Sequence, residues 1–148
     1  MNDFENKLSS LKSILFQKEE LLNIILNITY NQETILLEEE VPELFYEMNE
    51  IKQFNINQII ELDTSFNDIF LSTPDFEEKA KNYLDKIKEL QDLIKIVTDL
   101  DLKVRIAEES NKKYASKLKA SSLSLEEKRQ RAVARDLINK YKNNQLED

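Results

Sequence analysis

Not one glycine occurs in these 148 residues, and there are only two prolines. Tight turns between strands rely on residues at positive φ, which glycine adopts without steric cost. A chain that lacks it is poorly suited to an all-β or α/β fold. The same absence removes every glycine-rich phosphate loop, so no Walker-type or dinucleotide-binding fingerprint can be built. The expectation is an all-α chain, long enough for one domain with a moderate core and too short for two.

Apolar spacing supports this. Phe4, Leu8, Leu11, Leu15, Leu22 and Ile25 follow alternating three- and four-residue steps, while Ile14, Leu21, Ile28 and Ile35 repeat every seven. Two adjacent rows give a face wider than a two-stranded coiled-coil seam and suited to a bundle. Lys18, Thr29 and Gln32 interrupt the first row, and Asn2 or Asp3 can cap its start. This helix is expected to run to about Glu39. Pro42 then marks a reversal over 39–42, or alternatively a kink in one longer helix.

A second helix, roughly 43–71, is expected to bury Leu44, Phe45, Met48, Ile51, Ile59, Leu62, Phe66 and Ile69. The stretch STPDFEE predicts a helix start with Thr73 as N-cap and Pro74 in the first turn. The third helix keeps its period through Phe76, Tyr83, Ile87, Leu90, Ile94, Val97, Leu100 and Val104, then thins to Tyr114 and Leu118. KASSLS breaks the pattern. Ser124 with Glu127 forms a capping box that opens a fourth helix to about Tyr141, followed by a frayed NNQLED tail. The expected architecture is an antiparallel bundle of three long helices over 1–122, with a short amphipathic helix and tail over 123–148.

Cysteine and histidine are both absent, which excludes disulfides, zinc sites of the usual ligand types, and Cys or His catalysis. Glu38, Glu39, Glu40, Glu43, Glu47 and Glu50 cluster near the first turn. Di-iron bundles pair such carboxylates with histidine, so a solvated acidic end is expected instead. An enzyme would have to rely on carboxylates, lysines and tyrosines whose spacing converges on no site. No catalytic residue, cofactor or metal is expected. No run of about 18 apolar residues is present and MNDFENK does not read as a signal peptide, so a cytoplasmic location is expected.

Charge is strongly polarised. Residues 1–74 carry 4 basic and 14 acidic side chains, whereas residues 112–142 carry 10 basic and 3 acidic. In the basic segment, Leu125, Ala132, Val133, Leu137, Ile138 and Tyr141 share a face bordered by Lys128, Arg129, Arg131, Arg135 and Lys142. This helix can dock on the chain's own acidic helices, or lie in a groove of another protein. Nucleic acid is disfavoured by the acidic body, and a membrane surface by the short face without Trp or Phe. Tyr114 and Tyr141 lie where the apolar stripe is too sparse to bury them, which suits a partner surface. Tyr30, Tyr46 and Tyr83 are expected at core edges with wet hydroxyls.

The stretch KEELLNIILNITYNQETILLEEEVPELFYEMNEIKQFNINQIIELDTSF resembles the N-terminal half of flagellar export chaperones of the FlgN type. The matching positions are Thr29, Gln32, Glu40, Lys52, Ile56, Leu62, Asp63 and Phe66. The later LQDLIKIVTDLDLKVRIAEESNKK and the basic C-terminal helix are similar in layout. The resemblance implies a small acidic cytosolic chaperone without ATPase activity. It would hold helical ends of hook–filament junction proteins and present them to the export gate. Its partner-binding region would be the C-terminal helix, with Leu125, Arg129, Val133, Leu137, Ile138 and Tyr141, together with Tyr114. No nucleic acid and no membrane insertion are expected. A homodimeric coiled-coil adaptor, completed by a second copy of the chain, is the rival reading.

Overall fold

A computed structural model of the chain describes the backbone over residues 2–38, 42–120 and 125–147, and side chains over 2–37, 43–115 and 130–142. The described residues are all-α. Five helices succeed one another in order: α1 (Asp3–Glu38), α2 (Pro42–Ser72), α3 (Phe76–Ala80), α4 (Leu84–Ala120) and α5 (Leu125–Glu147). No described helix is long and apolar enough to cross a membrane.

Helix α1 starts at an Asn2 cap, whose Oδ1 accepts the Glu5 N–H at 2.8 Å. All six residues of its first apolar row are buried. In the second row Ile14 and Ile35 are buried, while Leu21 and Ile28 are half-buried. This wide face meets two neighbours. On one side, Lys18 reaches Asp63 at 2.8 Å and Gln32 reaches Asn49 at 2.7 Å, so α2 runs back along α1. On the other, Lys86 bonds Glu5 at 3.0 Å, Lys12 bonds Glu89 at 2.8 Å and Asn111 bonds the Thr29 carbonyl at 3.0 Å. Helix α4 therefore lies parallel to α1. The reversal segment 39–41 itself, with Glu39 and Glu40, falls outside the described residues.

The principal core joins Phe4, Leu8, Leu11, Leu15 and Leu22 of α1 to Leu90, Leu93 and Val97 of α4. Helix α2 adds only partly buried side chains, Ile59, Phe66 and Ile69. Leu44 and Ile51, expected inside, are exposed. At that level the inward edge of α2 carries Lys52 and Asn55 instead, both buried. Ile94 is likewise exposed, because the buried line on α4 runs through Leu90, Leu93, Val97, Ala107 and Asn111 and leaves it on the flank.

The third helix does not begin at Thr73. The Thr73 hydroxyl donates to the Ile69 carbonyl at 2.6 Å, which closes α2 rather than capping the next helix. Asp75 precedes α3 in the left-handed region at φ 54°, a conformation Asp tolerates better than most residues. Turn bonds from Asn82 to the Lys79 carbonyl and from Tyr83 to the Ala80 carbonyl separate α3 from α4. Phe4 anchors this connection, its ring 5.3 Å from both Phe76 and Tyr83. Helix α5 continues to Glu147, past the end expected near Tyr141. Ser124 and the Glu127 side chain lie outside the described residues.

Leu11 is 1 % exposed at the centre of the α1–α4 core. Leu11→Ala should cost about 3–5 kcal/mol in urea denaturation. Leu71→Ala, at a side chain 79 % exposed, should stay within about 0.5 kcal/mol of the parent.

Candidate partner-binding surface

Beyond Leu22 the interior mixes apolar side chains, Ile25, Leu26 and Ile35, with polar ones. Thr29, Gln32, Lys52 and Asn111 are all buried. Lys52 donates to Gln32 Oε1 at 2.7 Å and forms a close ion pair with Glu108. Gln32 Nε2 donates to Asn49 Oδ1 and, at 3.2 Å, to the Phe45 carbonyl. The Thr29 hydroxyl reaches both the Ile25 carbonyl at 2.8 Å and Glu108 at 3.2 Å. One layer thus ties α1, α2 and α4 together through directional bonds. Thr29 and Gln32 of α1 meet Lys52 of α2 here at one level of the fold.

The two ends of the ion pair differ. The Lys52 side chain is 7 % exposed and that of Glu108 is 36 % exposed, so only the carboxylate reaches water. Removing Glu108 strands a buried ammonium, whereas removing Lys52 leaves a carboxylate that water can still solvate. Glu108→Ala should therefore cost about 3 kcal/mol and Lys52→Met about 1 kcal/mol in denaturant titrations.

Helix α5 rests on the first turns of α2. The Tyr141 ring stacks on Tyr46 with centroids 4.3 Å apart and planes 26° apart. The Tyr141 hydroxyl donates to the Tyr46 carbonyl at 3.1 Å. Tyr46 is buried and its hydroxyl finds no partner among the described residues, so it is not the wet core-edge tyrosine expected. Tyr46→Phe should leave stability unchanged or raise it by up to about 1 kcal/mol in thermal melts.

Both hydroxyls are pushed up to about 12. Burial is the cause for Tyr46. For Tyr141 burial comes first, followed by a hydrogen bond to Glu50 and the charges of Glu50, Glu47 and Tyr46. Unfolded tyrosine titrates near pH 10. The stabilisation linked to these raised values is complete below about pH 10 and drains away as pH rises toward 12. Tyrosinate absorbance should show a late-titrating pair whose ionisation accompanies release of α5, and Tyr141→Phe should remove one member.

The basic face anticipated from sequence is divided by this docking. Arg131, Ala134, Ile138 and Tyr141 form a half-buried stripe at three- and four-residue spacing. Val133 and Leu137, 62 % and 54 % exposed, point away from it, and Arg135 is exposed with them. Tyr114, on α4, is half-buried. The side chains of Leu125 and Arg129 lie outside the described residues, so the contribution of these two expected partner contacts is not placed. Periodicity grouped Val133 and Leu137 with Ile138 and Tyr141, whereas the docking stripe turns the first pair toward solvent.

Among the described residues no group of three or more acidic side chains is placed to hold a metal ion. The chain matches no protein-family model, no curated protein and no solved structure.

Proposed function

We propose that this chain is a non-enzymatic export chaperone of the FlgN type, a three-helix antiparallel platform that presents α5 to helical partners. The observation that carries the reading is the exposed apolar flank of α5. Val133 and Leu137 lie one turn apart beside Arg135, on a helix whose other side is already seated. Such a flank suits an amphipathic partner helix with apolar anchors and acidic neighbours, drawn by charge complementarity. The partners are the helical ends of hook–filament junction proteins, and delivery is to the export gate. The placement of Thr29, Gln32 and Lys52 in one layer gives the resembling positions a shared physical role, which favours the same family.

The rival reading, a homodimeric adaptor, draws on Ile51 and Phe54, exposed on α2 at positions a second copy could cover. Molar mass in solution separates the two readings, since the adaptor requires a dimer at micromolar concentration.

The direct test is calorimetric titration of the purified chain with purified junction proteins encoded in the same genome. Binding should weaken at least tenfold in Val133→Asp/Leu137→Asp, a loss of about 1.4 kcal/mol or more. Helicity by circular dichroism should be unchanged, because both side chains face solvent. Absence of binding by the parent chain, or equal binding by the variant, would overturn the reading.

A further inference from the structure

We infer that the polar layer is an opening plane: the first part of α2, residues 43–56, and α5 separate from the body as one unit while the apolar half stays closed. Three observations lead there. The principal core draws its buried members from α1 residues 4–22 and α4 residues 90–97, and no α2 residue before Ile59 joins it or packs against it. Beyond that core Asn49 and Lys52 bond Gln32 and Glu108, and the buried apolar residues Ile25, Leu26 and Ile35 of α1 stand outside the principal core. Water can replace such bonds with little net loss, whereas separating the apolar half exposes leucines and valines. Glu108 already reaches solvent at the edge of the layer.

The third observation joins the two moving parts. Helix α5 packs on α2, and its seat is the Tyr46–Tyr141 stack on the same early turns. Tyr46 loses its cover when α5 leaves, and α5 loses its platform when those turns of α2 lift. Each therefore stabilises the other, and the pair behaves as one cooperative segment. Opening uncovers the polar layer beside Ile51 and Phe54, which are exposed already. A surface absent from the closed state is thereby created without unfolding the chain. This inference does not depend on the chaperone reading.

Native-state hydrogen exchange of the full chain, followed by mass spectrometry across low denaturant concentrations, tests it. Peptides within 43–56 and 130–142 should show matched protection and a shared denaturant slope, at least tenfold below peptides within 4–22 and 87–100. Tyr141→Ala should lower protection in 43–56 and leave 4–22 unchanged. Gln32→Leu/Lys52→Met/Glu108→Leu, which replaces the bonded partners together, should bring 43–56 to within about threefold of the apolar half. Exchange of all four regions only through global unfolding would overturn the inference. So would exchange of 130–142 uncoupled from 43–56.

Discussion

Helix α1 has to be covered on two sides at once, and the rest of the architecture derives from that requirement. Its apolar rows are too wide for one neighbour, so α2 returns along one edge and α4 runs parallel along the other. The edges are trimmed by ion pairs such as Lys12–Glu89 and Lys86–Glu5, and the nearby lysines hold Glu89 and Glu5 below the usual carboxylate range. Exposed pairs of this kind add little stability. They are better understood as register marks on an interface whose energy comes from leucine, valine and phenylalanine.

The same face changes character along its length, and this shapes what the molecule can do. Up to Leu22 it supplies apolar bulk. From Thr29 onward apolar Ile35 is joined by hydrogen-bonding groups, Thr29 and Gln32, that meet Lys52 and Asn49 from α2 and Glu108 and Asn111 from α4. Directional bonds fix the alignment of the helices without gluing them as firmly as an apolar layer would. The light seating of α5 occurs at this softer end. Acidic α2, with six carboxylates against Lys52 alone, attracts the basic helix, and one aromatic stack locates it. Its Val133–Leu137 flank stays exposed.

The helices and the α1 core were legible because sequence period maps directly onto burial. Leu8, Leu15, Leu22 and Thr29 form one seven-residue series; Phe45, Lys52, Ile59 and Phe66 form another; Leu90, Val97, Val104 and Asn111 a third. A polar residue stands in each where an apolar one would continue the row. In the periodicity Thr29 and Gln32 read as interruptions, since a single row gives no hint that three such gaps meet in space. The burial of Tyr46 was hidden for a related reason: its cover comes from Tyr141, 95 residues away in sequence. The break after α3 has neither glycine nor proline to announce it, and STPDFEE satisfied the rules for a helix start so well that Thr73's bond back to Ile69 was masked. The orientation of α5 depended on the docking partner, which amphipathic pattern alone does not specify.

Helix α5 sits in one defined position on α2, located by the Tyr46–Tyr141 stack. The chain contains no cysteine, so spin labels can be introduced cleanly at Gln53→Cys on α2 and Lys140→Cys on α5, both exposed positions. Pulsed dipolar spectroscopy of the doubly labelled chain should give a single narrow short-distance population that broadens when Tyr141→Ala is added. A broad distribution in the chain that retains Tyr141, or a narrow one indifferent to its loss, would contradict the account.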